Sequence, residues 1–112
     1  MKSTRYFSNK QEKRVAERVG GKQVSNSGAT AFNKGDVITD DWLIECKTCT
    51  NPKSSMTVKK EWLEKNKEEA FAMRRNFSAV AIDFGSNDTY YIIDEKTFLG
   101  LLKIVELFES KW

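Results

Sequence analysis

Three features of the sequence predict an α/β or α+β fold with a mixed β-sheet. Apolar residues recur at helical spacing in 10–19, 57–75 and 95–109. The short stretches 36–39, 42–48, 78–84 and 89–93 read as strands. Turn-forming residues punctuate them at Gly20-Gly21, Asp40-Asp41 and Gly85-Ser86-Asn87-Asp88. The order is α-β-β-α-β-β-α. A chain of 112 residues suits one domain, spanning 1–112, with one modest core.

The first helix rests on Val15, Ala16 and Val19, and the two glycines end it. Residues 22–35 are rich in Gly, Ser, Asn and Lys and read as a loop, with room for a short strand near Val24. Residues 36–39 and 42–48 form a hairpin about Asp40-Asp41. The polar segment 50–56 leads to a helix from about Thr57, a plausible N-cap, to Arg75. Its apolar face holds Val58, Trp62, Leu63, Ala70 and Met73, with Lys59 near the middle and Lys60 pointing out. Residues 78–84 are a buried strand that turns at Gly85 and returns through Thr89–Ile93. The last helix runs from Glu95 to Glu109. Phe98, Leu101, Leu102, Val105 and Phe108 form a broad face that can pack on the sheet. Leu99, Leu107 and Trp112 remain, and point to a homodimer interface or to a cover made by Tyr6 and Phe7.

The apolar fraction is 39%, with three Trp and seven Phe, so the chain is expected to fold. No apolar run reaches the roughly 20 residues of a membrane span. Residues 1–14 are polar and basic rather than signal-like. A cytoplasmic protein with reduced cysteines is expected. The formal charge of +3 is unevenly spread. Residues 1–23 carry seven Lys/Arg against two Glu, and 53–76 carry seven against four. Residues 24–52 carry two Lys against four acids. Two basic segments flank an acidic centre, as on a surface that binds phosphates about a metal, or as on ordinary solvated helix faces.

The acidic centre carries the chemistry. Eight residues separate Asp36 from Glu45-Cys46-Lys47. Strand alternation sends Trp42, Ile44 and Cys46 one way, and Leu43, Glu45 and Lys47 the other. The hairpin can bring Asp36 beside Glu45. Two carboxylates make a hard oxygen site suited to Mg²⁺, to which the backbone carbonyl of Cys46 could add a third oxygen. Such an ion polarises a phosphoryl oxygen and helps deprotonate a water. Lys47 can orient that water or stabilise charge on the phosphate. The competing reading is an amphipathic strand with a surface Glu45–Lys47 ion pair.

Glu12 and Glu17 compete for a further place in the site. Val15, Ala16 and Val19 fall within about 60° of Glu12 around the helix, and Glu17 falls well away. An inward Glu is costly unless paired or bound to metal. Glu12 is therefore preferred, against the alternative that a frayed helix end lets it reach water. Lys59 is expected either to reach a phosphate or to snorkel along the core edge. Ser27 serves a phosphate or metal-bound water, or is a simple loop residue. Lys10, Lys13, Arg14, Lys34, Lys59 and Lys60 are the candidate DNA contacts. With two cysteines and no histidine, the chain cannot supply four Cys/His zinc ligands, and Ser-His and Cys-His triads are excluded.

The stretch SGATAFNKGDVITDDWLIECKT, preceded by a Glu-bearing helix that ends in Gly-Gly, resembles the archaeal and phage Holliday-junction resolvases of the PD-(D/E)xK superfamily. The following KKEWLEK helix and the short chain are similar to phage-type members. The resemblance covers roughly residues 10–95. It implies a restriction-endonuclease-like core and a homodimer cutting four-way DNA junctions with Mg²⁺ or Mn²⁺, in the host-cell cytoplasm if phage-encoded. By motif position it implies Glu12 as the helix glutamate, Asp36 as the metal aspartate, Glu45 and Lys47 as the ExK pair, and Ser27 as the loop serine. Gly35 stands where the motif has Pro. The same core serves nicking and repair nucleases, and a non-catalytic DNA- or protein-binding module is the remaining alternative.

Overall fold

A computed structural model describes residues 4–24 and 36–109. Its elements are α1 (Thr4–Val19), β1 (Lys22–Gln23), β2 (Asp36–Ile38), β3 (Trp42–Lys47), α2 (Lys60–Ala72), β4 (Phe77–Ile82), β5 (Tyr90–Ile92) and α3 (Glu95–Glu109). The expected order holds, with the short strand near Val24 present as β1. The five strands form one mixed sheet in the order β1-β2-β3-β4-β5. All neighbours are antiparallel except β3 and β4, which run parallel. That parallel pair requires the crossover that α2 supplies.

The α1 helix begins two turns earlier than its apolar spacing announces. Residues 6–10 are exposed or half-buried, so no inward stripe marks them in the sequence. Gln11, Glu12, Val15 and Ala16 are the buried face, and Glu17 is exposed. The helix stops where Gly20 adopts φ 70° and the Gly21 amide donates to the Ala16 carbonyl (2.9 Å). At Gly21 a Cβ would collide with the Ile38 carbonyl oxygen, so only glycine lets the chain pass from α1 into β1 against β2.

The α2 helix starts three residues later than expected. Lys59, not Thr57, is the N-cap, with extended backbone (φ −88°, ψ 131°) and no side-chain cap. Lys59 therefore lies outside the helix and is exposed, not on its apolar face, and Val58 is 40% exposed. Residues 52–59 form neither helix nor strand, and Lys59 is still extended at the cap. The helix buries Asn66 and Ala70, and the Asn66 amide donates to the Ala79 carbonyl of β4 (2.9 Å). It ends at Ala72, short of Arg75, because Arg74 enters the left-handed region (φ 58°) and the Arg75 amide closes on the Ala70 carbonyl (2.8 Å).

The sheet is covered on both faces. Val15 and Ala16 of α1 pack on Val37, Ile44, Ala79 and Ala81, with Trp42 and Cys46 beside them. Leu43 and Val80 are fully buried on the opposite, α2 face, with Ala70 of that helix also buried. The alternation expected of β3 is thus observed. By contrast, no residue of α3 is buried. Phe98, Leu101, Leu102, Val105 and Phe108, expected to pack on the sheet, are between 40% and 65% exposed. Leu99 and Leu107 are 46% and 60% exposed. The physical reason is that α1 and α2 already occupy the two faces, and a third helix finds no free one. Asp94 caps α3 by accepting from the Thr97 amide (2.9 Å) and pairs with Lys67 (2.7 Å).

Candidate metal centre

The β2–β3 register sets Asp36 directly opposite Glu45. Alternation along β3 puts Glu45 and Lys47 on the α2 face, and the pairing puts Asp36 there as well. Asp36 is fully buried and Glu45 is 7% exposed. Both oxygens of Asp36 and Oε2 of Glu45 are buried and receive no hydrogen bond among the described residues. Lys47 Nζ lies 3.6 Å from Glu45 Oε1 and 4.8 Å above the Trp62 ring of α2. The aromatic face steadies the cation while a third of the Lys47 side chain stays exposed.

A further carboxylate, Glu69 of α2, joins this face. Its Oε1 is buried without a hydrogen-bond donor. The carboxyl of Glu69 lies within hydrogen-bonding reach of Asp36, a bond two carboxyls form only by sharing a proton. Burial, and then the charges of Glu69, Glu45 and Glu12, push the Asp36 carboxyl up to about 8. Burial also raises Glu69.

Glu12 is 6% exposed on α1, so the inward phase read from the sequence is observed. Its charge is the largest of those acting on Cys46. Burial and then Glu12, Asp36, Glu45 and Asp83 push that thiol far up, leaving a neutral group that is neither nucleophile nor thiolate ligand. Of the three carboxylates acting on Asp36, Glu12 is the weakest. Glu12 therefore approaches from the α1 side of the sheet, and Glu69 from the α2 side.

Behind the site, Gln11 Nε2 donates to the carbonyls of Lys47 (2.9 Å) and Ala81 (3.2 Å), joining α1 to the ends of the parallel pair. Asp83, 2% exposed, accepts from Thr48 Oγ1, from the Gly85 amide (3.0 Å) and from Arg14 Nη2 (3.0 Å). Arg14 is thereby committed to an internal ion pair. Lys10, Lys13, Lys59 and Lys60 are exposed. Trp62 under Lys47 brings the start of α2, and so Lys59 and Lys60, to the Lys47 end of the site. Ser27 and Lys34 lie outside the described residues, as does Trp112.

Sequence reasoning missed Glu69, Asp83 and Gln11. Glu69 stands at helical spacing from Trp62 and Asn66, a stripe that the apolar count passed over. Asp83 is the first charged residue after a continuous apolar strand. Gln11 adjoins the inward Glu12.

The donors are oxygens, with no histidine and a protonated thiol, which suits a hard divalent cation rather than zinc. Among the described residues, no three Asp, Glu or Cys side chains converge closely enough to form a ready-made metal cluster. Two orphaned carboxylates fit an ion such as Mg²⁺, which keeps several waters and needs one or two protein carboxylates. No family model, curated protein or solved structure matches this chain.

Proposed function

We propose that this chain is a Mg²⁺- or Mn²⁺-dependent endonuclease of the PD-(D/E)xK type, acting on branched DNA such as a four-way junction. The observation that carries this reading is the register pair Asp36–Glu45, buried with three carboxylate oxygens lacking donors, two residues from Lys47. Buried carboxylates without donors are costly, and a cation is the ligand that removes the cost. A divalent ion held there supplies Lewis acidity to a phosphoryl oxygen and acidity to a water.

Asp36 and Glu45 would hold the ion, with the Cys46 carbonyl as a further oxygen, while Glu12, on the α1 side, would add negative charge rather than a direct bond. Lys47, reachable from solvent and braced on Trp62, orients the attacking water or neutralises charge growing on the phosphate. Lys10, Lys13, Lys59 and Lys60 would grip the DNA backbone, and binding them releases counterions. The exposed apolar face of α3 supports a homodimer, which would present two sites to two strands. The test is a Mg²⁺-dependent cleavage assay on matched four-way, flap, single-stranded and linear duplex DNA. Cleavage of the four-way form is expected. Cleavage only of linear duplex or flap DNA would redirect the reading to a nicking or repair nuclease. No cleavage of any form would leave a binding module.

A further inference from the structure

The metal reading above leaves Glu69 without a role, although it lies against the residue at the centre of the site. Glu69 is half-buried near the end of α2, between the sheet and solvent. Its Oε1 is buried with no donor, and Asp36, fully buried, has no donor for either oxygen among the described residues. An ordinary surface glutamate would turn that oxygen to water. In this position one carboxylate would be tolerable as a packing accident. Two facing each other need something between them that donates hydrogen bonds or carries positive charge.

The three carboxylates of this face do not converge as direct ligands of one ion. A hydrated cation resolves both facts. A magnesium-sized ion on Asp36 and Glu45 keeps several waters, whose protons are strong donors, and those waters extend its reach by one molecule. We propose that Glu69 is the acceptor that holds a cation-bound water beside Asp36, so that α2 contributes an outer carboxylate to the site. This rests on the proposed cation site of Asp36 and Glu45. Glu69 is thus a positioning residue, not a ligand.

The test is Mn²⁺ binding to the full chain without DNA, followed by calorimetry, for wild type, Glu69→Gln, Asp36→Asn and the exposed control Glu64→Gln. Outer partners of metal ligands typically change affinity by about 10–100-fold. Glu69→Gln is expected to weaken Mn²⁺ by about tenfold, Asp36→Asn to remove binding, and Glu64→Gln to change nothing. Terbium luminescence lifetimes in H₂O and D₂O then count the bound waters. An unchanged count in Glu69→Gln is expected, because the water remains when its acceptor is weakened. A count that rises by one would make Glu69 a direct ligand and overturn the proposal. Wild-type affinity in Glu69→Gln would overturn it while sparing the cation site. Absence of Mn²⁺ binding in wild type would overturn the cation site itself, and this proposal with it. Should Glu69→Gln unfold, Glu69→Asp keeps the acceptor but shortens it, and the same affinity comparison decides.

Discussion

Helices α1 and α2 carry many charges yet bury residues, whereas α3, built largely of Leu, Phe, Ile and Val, buries none. The polar helices win the sheet because each has a few inward positions that match it. Val15 and Ala16 do so for α1, and Asn66 and Ala70 for α2. What they also carry inward is Gln11, Glu12 and Glu69, the polar groups that surround the candidate metal centre. The contrast teaches that burial follows the availability of a complementary face rather than the apolarity of the helix.

The inner half of this comparison breaks first at Asp36. Asp36→Asn or Glu45→Gln should lower Mg²⁺-dependent cleavage by at least about a hundredfold while leaving DNA binding largely intact. Ca²⁺ should bind without supporting turnover. Full activity in Asp36→Asn would remove the site assignment altogether. Glu12→Gln should follow with a loss of roughly tenfold or more, and the exposed Glu17→Gln should be near neutral.

A second break concerns pH in the absence of a cation. Asp36 is raised to about 8, whereas an unfolded Asp titrates near about 4. Between those values the folded state holds a proton that the unfolded state has lost. Stability should therefore fall as pH rises from about 4 to about 8, then level. The loss from this group should be on the order of a few kcal/mol, read from urea midpoints at pH 5 and pH 8. Asp36→Asn should flatten the dependence. A wild-type protein equally stable at both values would mean that the carboxylates are not held together as described.

The outer half is sharpened by changing α3. Ile104, 60% exposed, lines a groove between α2 and α3 with Phe71, Phe77 and Leu101. Light scattering of wild type should give twice the monomer mass, and Ile104→Asp should give the monomer. A monomeric wild type, with and without DNA, would weaken the junction reading. The smallest effect belongs to the basic residues. DNA affinity should fall steeply with salt, and removing Lys10, Lys13, Lys59 and Lys60 together should flatten that slope. A slope unchanged by these substitutions would move the DNA contacts elsewhere.

The sequence announces features whose cause is local. The β3 alternation, the hairpin that opposes Asp36 and Glu45, and the phase of α1 that turns Glu12 inward all follow from repeat geometry over a few residues. The start of α2 was less legible because no side chain caps it: Thr57 offers a hydroxyl, but the helix begins only after the extended Lys59. Glu69 reaches Asp36 only through the crossover that lays α2 on the sheet, and nothing near residue 69 reports it. Likewise α3 has a good apolar stripe, and only the three-dimensional count of occupied sheet faces reveals that neither α1 nor α2 leaves it a sheet face to pack on.

The two bonds of Gln11 also impose an order in time. Its partners lie 36 and 70 residues further along the chain. Contacts of such separation form late, because the intervening loop must be closed before they return any energy. The α1 helix can form as soon as its own residues are free to coil, but it cannot be fastened until β3 and β4 lie side by side. The candidate metal centre, braced by that fastening, is therefore among the last parts of the molecule to mature. In refolding, recovery of Mn²⁺ affinity should trail recovery of helical signal.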